Sequence, residues 1–212
     1  MYKQKDFVFD REKSITAIIL AAGASRRMGQ PKQLLSYKGQ TLLSYVTNCA
    51  IASSCNPVIV ILGANAEKIE PEIAQLSITI IKNNNWNEGI ASSISCGIKY
   101  LQKQDLNPDG VIFLTCDQPF ISTEIIEELI NNYYSTKQPI IASKYGKSLG
   151  IPALFSRALF SELTQLKGNR GAKKIINKYP DLVSVINFPQ GIIDLDTPEN
   201  YQQFISRIET NN

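Results

Sequence analysis

The sequence predicts an α/β fold: a single domain over residues 15–212, built on a mostly parallel, twisted sheet with helices on both faces, behind a polar extension at residues 1–14. Three observations carry this. Short, almost wholly apolar runs alternate with amphipathic ones, the pattern of strands covered on both faces and helices covered on one. At 212 residues the chain can bury one substantial core. Its informative polar residues fall just after the apolar runs, where sheets of this class bind their ligands.

In order, Thr16–Leu20 is an apolar run that reads as a buried strand. Leu42–Ala52 is helical, with Leu42, Leu43, Val46 and Ala50 on one face. Val58–Leu62, bounded by Pro57 and Gly63, is a second strand, and Ile78–Ile81 a third. Ser93–Leu101 spaces Ile94, Ile98 and Leu101 as a helix does, with Ser92 or Ser93 as its N-cap. Gly110–Leu114 is a strand. Thr123–Tyr134 is a helix capped by Ser122, with Ile126, Leu129, Ile130 and Tyr133 inward. Ile140–Ser143 and Leu182–Ile186 are further strands, with a helix over Ala172–Tyr179 between them. A last helix opens on Thr197 as N-cap and Pro198 at its first position, with Tyr201, Phe204, Ile205 and Ile208 as its apolar face.

Composition narrows the chemistry. The absence of histidine removes Ser-His-Asp and Cys-His catalysis. The four cysteines form no CxxC pair, which speaks against a zinc site or a disulfide framework and for a reducing, cytoplasmic compartment. A net charge of +3 without any lysine/arginine stripe suits a small anionic substrate rather than nucleic acid. No apolar stretch is long enough for a membrane span. The first fourteen residues are charged throughout, with one apolar patch at Phe7 to Phe9, and do not read as a secretory signal.

Four constellations remain. The first strand breaks into Ala21-Ala22-Gly23-Ala24-Ser25, followed by Arg26, Arg27 and Lys32. A strand feeding a small-residue loop with cations is a phosphate cradle or an ordinary strand-to-helix turn with solvated bases. It is neither a Walker A loop nor GxGxxG. Asp117 ends the apolar run Gly110–Leu114 within Cys116-Asp117-Gln118-Pro119. A carboxylate there is a Mg²⁺ ligand or a loop aspartate ahead of Pro119. Asp194 and Asp196 stand two apart, so on extended backbone they share a side. They too are metal-side groups or solvated residues at the start of a helix. Asn85-Trp86-x-x-Gly89 precedes Ser92 and Ser93, which either only cap a helix or open one whose first amides meet a base or ribose.

The order Leu20-Ala21-Ala22-Gly23, Arg26-Arg27-Met28-Gly29, Pro31-Lys32-Gln33-Leu34-Leu35 resembles the MobA-like nucleotidyltransferases, and most closely their molybdenum cofactor cytidylyltransferase branch. The resemblance extends through Cys116–Pro119, Gly150–Phe155, Leu166–Ala172 and Asp194–Tyr201. It implies a Rossmann-like, glycosyltransferase-A-like fold and transfer of CMP from CTP to the phosphate of molybdenum cofactor, with Mg²⁺ and release of pyrophosphate. On this pattern Arg27, Lys32 and Asp117 are catalytic. Leu20, Ala21, Ala22, Gly23, Arg27, Lys32 and Ser93 hold the nucleotide, and Asp117, Asp194 and Asp196 are metal-side groups. Trp86 walls the pocket or the second-substrate cleft, and a molybdoenzyme is an implied partner. The guanylyl branch usually has glycine where Ala22 stands, which implies a preference for CTP. Asn169 stands where the family commonly has aspartate, which leaves the acceptor open. A sugar phosphate or methylerythritol phosphate transferase, or a nucleotide-binding cofactor chaperone without turnover, would share much of this pattern.

Overall fold

The computed structural model describes residues 14–210. The expected extension at residues 1–14 and its patch at Phe7 to Phe9 lie almost wholly outside them. The strands are β1 (Ile15–Ala21), β2 (Ser36–Tyr37), β3 (Gln40–Thr41), β4 (Cys55–Leu62), β5 (Thr79–Lys82), β6 (Gly110–Thr115), β7 (Ile140–Tyr145), β8 (Ser148–Ser156) and β9 (Val183–Asn187). The helices are α1 (Leu42–Ile51), α2 (Ala66–Ile69), α3 (Ile90–Lys103), α4 (Thr123–Thr136), α5 (Phe160–Thr164), α6 (Lys173–Lys178) and α7 (Pro198–Thr210). Seven strands form one sheet in the order β5-β4-β1-β6-β8-β7-β9, and β2 and β3 form a separate hairpin.

The pairings β1–β4, β1–β6, β4–β5 and β7–β9 are parallel. Within the seven-stranded sheet β8 alone runs antiparallel, wedged between β6 and β7. The expected strand Leu182–Ile186 is β9, shifted by one residue. β8 had no counterpart in the sequence reading, because Gly150 and Pro152 punctuate it and resemble loop residues when read locally. Pro152 is accommodated because β8 shifts register against β7 beside it, between Ala142 and Ser143.

Side-chain alternation along β1 splits the core into two layers. Ile15, Ala17, Ile19 and Ala21 pack with Leu43 and Val46 of α1 and Ile126, Leu129 and Ile130 of α4. Ile18, Leu20 and Ala22 point the other way, onto Ile94 and Ile98 of α3, Leu163 of α5 and Ile176 of α6. The two-faced parallel sheet follows from this double burial, since a strand apolar at every position satisfies two cores. A third, smaller cluster joins Met28, Leu35, Tyr37 and Leu42 to Leu195 and Phe204 of α7. It brings the C-terminal helix back beside the loop after β1.

The caps on α4 and α7 are as expected. Ser122 Oγ accepts from the Ile125 amide at 3.5 Å, and Thr197 Oγ1 accepts from the Asn200 amide at 3.3 Å. The expected cap on α3 is corrected. That helix begins at Ile90, with Gly89 at its N-cap position at φ 101° and ψ 176°. Glycine makes the turn itself, so the serines are freed. Ser92 Oγ donates back to the Gly89 carbonyl at 2.8 Å, and Ser93 is buried one step further in.

Candidate active site

The carboxyl ends of β1 and β6 open onto a cleft of about 510 Å³. Its floor is the loop from Leu20 to Ser25, and Arg26, Arg27 and Lys32 edge it. Thr115, Cys116 and Asp117 arrive from the end of β6, and Asp196 from the segment ahead of α7. Trp86, Asn87, Gly89, Ile90 and Ser93 form the far wall, with Asn169 beside them. One cleft thus gathers Leu20, Ala21, Ala22, Gly23, Arg27, Lys32, Ser93, Asp117 and Asp196. Asp194 lines the neighbouring cavity instead.

The loop after β1 is held by Gln33, which is buried. Its Nε2 donates to the Ala21 carbonyl at 2.8 Å and the Gly23 carbonyl at 2.9 Å. Ser25 Oγ donates to Gln33 Oε1 at 3.3 Å and accepts the Lys32 amide at 3.0 Å. One side-chain amide thereby satisfies the carbonyl at the end of β1 and one in the loop after it, and the Ser25 bonds tie Lys32 to the same loop. The sequence reading gave Gln33 no role. The available signal was a polar residue between Lys32 and the apolar pair Leu34-Leu35.

Charge is concentrated where the elements meet. Lys32 Nζ lies 2.5 Å from Asp117 Oδ2 and 3.0 Å from Asp196 Oδ1, and Arg27 Nη2 lies 2.8 Å from Asp196 Oδ2. Burial disfavours the Lys32 charge, but Asp117 and Asp196 outweigh it and hold the ammonium protonated far above its ordinary range. Burial likewise opposes the charge on Asp196, and Lys32 and Arg27 overcome it, so that carboxyl titrates below its usual range. Asp194 keeps one side open to solvent. Crowding by protein, then the charges of Asp117 and Asp196, push its pKa up to about 7. The backbone sets this geometry: the Leu195 amide donates to the Asp117 carbonyl at 2.9 Å, and the Leu195 side chain is buried.

Ser93 faces the cleft from α3. Asn83 Nδ2 donates to Ser92 Oγ at 2.8 Å and Ser93 Oγ at 3.0 Å, leaving the Ser93 proton free to donate. The segment around Asn169 closes on the same helix. A Cβ at Gly89 would lie 2.5 Å from Gly168 backbone and 2.6 Å from Asn169 Oδ1, and the Ala91 amide donates to the Gly168 carbonyl at 3.2 Å.

Two carboxylates, Asp117 and Asp196, meet the two cations in the cleft, and no group of three acidic or thiol side chains placed to hold a metal gathers among the described residues. The donors are hard oxygens, the set that suits Mg²⁺ or Mn²⁺ rather than zinc or copper. The Lys32 ammonium bridges Asp117 and Asp196, and a pair of carboxylates is what Mg²⁺ uses where phosphate oxygens and water complete its shell.

A small-residue loop after β1, a cationic rim and a carboxylate just past the end of β6 meet in one cleft of an α/β fold. The chain belongs to the MobA-like NTP transferase domain family, whose model matches residues 17–183. It is 25% identical to the molybdenum cofactor cytidylyltransferase of Escherichia coli, over 89% of this chain and 94% of that protein. It is 26% identical to a probable molybdenum cofactor guanylyltransferase of Nostoc, over 88% of each chain. A similar match, 26% over 90% of this chain and 96% of the relative, is to the nicotine blue oxidoreductase of Paenarthrobacter nicotinovorans. Among solved structures, the homologue of Mycobacterium tuberculosis Rv0371c from Mycobacterium strain JC1 superposes with a TM-score of 0.79 at 25% identity, covering 93% of this chain and 98% of that one. Relatives at this distance carry different activities in their names.

Proposed function

We propose that the protein transfers CMP from CTP to the phosphate of molybdenum cofactor, with a divalent cation, Mg²⁺ in the cell, and release of pyrophosphate. The observation that carries this is the Arg27–Asp196–Lys32–Asp117 array at the rim of the small-residue loop. An acceptor phosphate oxygen attacks the α-phosphorus, the bond from that phosphorus to the bridging oxygen breaks, and pyrophosphate departs with the electron pair. Such transfer depends on positioning and charge neutralisation and needs no covalent nucleophile. A phosphate is ionised already, so the lack of histidine is no obstacle.

Arg27 and Lys32 take the phosphates. In the free protein both are held by Asp196, so triphosphate binding exchanges carboxylate oxygens for phosphate oxygens. Asp117 and Asp196 would hold the cation, with Asp194 beside them. Bound there, it would neutralise charge on the triphosphate. Gln33 keeps the loop in one shape. Ser93 offers its hydroxyl proton to an acceptor on the pyrimidine edge, and Ala22 limits the space around the base.

Pyrophosphate release with CTP or GTP and molybdenum cofactor tests the reading. CTP is expected to exceed GTP in kcat/KM by tenfold to a few hundredfold, the range that one steric and one hydrogen-bond difference supply. Ala22→Gly should narrow that ratio. A wild type that prefers GTP refutes the base assignment. Turnover confined to a sugar phosphate or methylerythritol phosphate moves the acceptor to another branch of the fold. Tight CTP binding without pyrophosphate release would make the protein a carrier rather than an enzyme.

A further inference from the structure

Gly63, the first residue after β4, does not line the cleft, yet it touches two residues that do. A Cβ built on it would lie 2.6 Å from Trp86 Cβ, 2.8 Å from Ala22 Cβ and 2.8 Å from the Ala22 carbonyl oxygen. None of these is the flexible tip of a side chain. The neighbouring backbone is stitched together: the Ala64 amide donates to the Ala22 carbonyl at 3.0 Å and the Asn83 amide to the Leu62 carbonyl at 2.7 Å. Ala22 is buried and sits on the cleft floor, while Trp86 opens the short helical turn Trp86–Glu88 on the far wall. Three backbones converge at Gly63 with no room for a methyl group.

We infer that Gly63 is a specificity-determining position: by letting Ala22 and Trp86 close on each other, it sets the slot that receives the heterocyclic base of a nucleoside triphosphate. This rests on the nucleotide reading of the cleft and extends it to a residue outside the cleft. Interiors are packed tightly enough that an added methyl must displace something. Here the atoms free to yield belong to the walls of the base slot. The cations of the phosphate end are anchored on other elements, Arg27 by Asp196 and Lys32 by Asp117 and Asp196, so pyrophosphate binding should change less than base recognition.

Trp86 is the sole tryptophan of the chain, so its fluorescence reports on this wall directly. Titrations of the full-length protein with CTP, GTP and pyrophosphate in Mg²⁺ are compared for wild type and Gly63→Ala. The expected result is a nucleotide-dependent change in wild-type emission. In Gly63→Ala the unliganded emission maximum shifts, CTP binds about tenfold more weakly, the CTP-to-GTP ratio changes, and pyrophosphate binds within twofold of wild type. An unchanged ratio, or equal losses for CTP and pyrophosphate, overturns the inference. If Gly63→Ala does not fold, Trp86→Phe measured by calorimetry takes its place, with the same expectation for the ratio and the same overturning result. A wild type that binds no triphosphate at all refutes the nucleotide reading itself, which separates the two failures.

Discussion

Asp196 and Asp194 stand two residues apart, but they border different spaces and carry opposite electrostatic loads. Asp196 faces the cationic cleft, is paired with Lys32 and Arg27, and titrates below its usual range. Asp194 faces a cavity of about 690 Å³ walled by Tyr37, Tyr45, Phe120, Ile193 and Phe204. It makes no ion pair among the described residues, and its pKa is pushed up to about 7. The cation nearest the aromatic wall is already engaged, since Lys38 Nζ lies 5.1 Å from the ring centroids of both Tyr37 and Tyr45. The difference shows that residue type and spacing do not set a carboxylate's state here. The buried Leu195 between them, tied to the Asp117 carbonyl, divides the two environments.

The largest expected effect is at Asp117, the group between the two sides. Asp117→Asn should reduce turnover by on the order of a hundredfold or more while leaving the circular dichroism spectrum unchanged. Near wild-type turnover at saturating Mg²⁺ would show that the comparison lacks a catalytic centre.

On the cationic side, Lys32→Ala should weaken triphosphate binding by ~1.5–3 kcal/mol, because charge-assisted contacts to phosphate are of that size. Arg27→Ala should cost less, since its side chain is 72% exposed and its contact is screened by water. Calorimetric titration with CTP checks both. Equal effects, or none, would mean that the triphosphate does not run along the Asp196 side.

The contrast between the aspartates is sharpened by pH, in metal-free buffer. Asp194 has a folded pKa of about 7, above the value of about 4 expected in the unfolded chain. The folded state therefore binds more protons between those values, and this group removes stability as pH rises from about 4 to about 7. Asp194→Asn should abolish that component, making the variant more stable than wild type at pH 8 by about 1 kcal/mol at most, because one side of the carboxylate meets water. Asp196→Asn should do the reverse, losing stability at neutral pH. Thermal melts of both variants at pH 5 and pH 8 decide it, and parallel behaviour would erase the distinction.

The smallest effect concerns thiols. Cys116 adjoins Asp117, and burial pushes its thiol up to about 12, with Asp117 adding to the shift; burial, with the charge of Glu127 adding, raises Cys55 to about 11. Both should resist alkylation in the native protein. Mass spectrometry after brief iodoacetamide treatment should find label confined to the half-buried Cys49 and Cys96.

The sequence by itself determined the parallel half of the sheet, the small-residue loop with its cations, Asp117 at a strand end, and the caps at Ser122 and Thr197. Each of these is local: a run apolar at every position, a short hydroxyl ahead of a helix, or a charge where a strand stops. Tertiary structure decided the rest, because the deciding contacts join residues far apart in the chain. Gln33 is functional only because the Ala21 and Gly23 carbonyls fold over it. β8 runs antiparallel because it fills the gap between β6 and β7. α3 starts at Ile90 because positive φ at Gly89 lets the chain turn against Gly168. The unlike states of Asp194 and Asp196 follow from which charges and which cavity each side chain meets, and spacing along the chain contains no record of either.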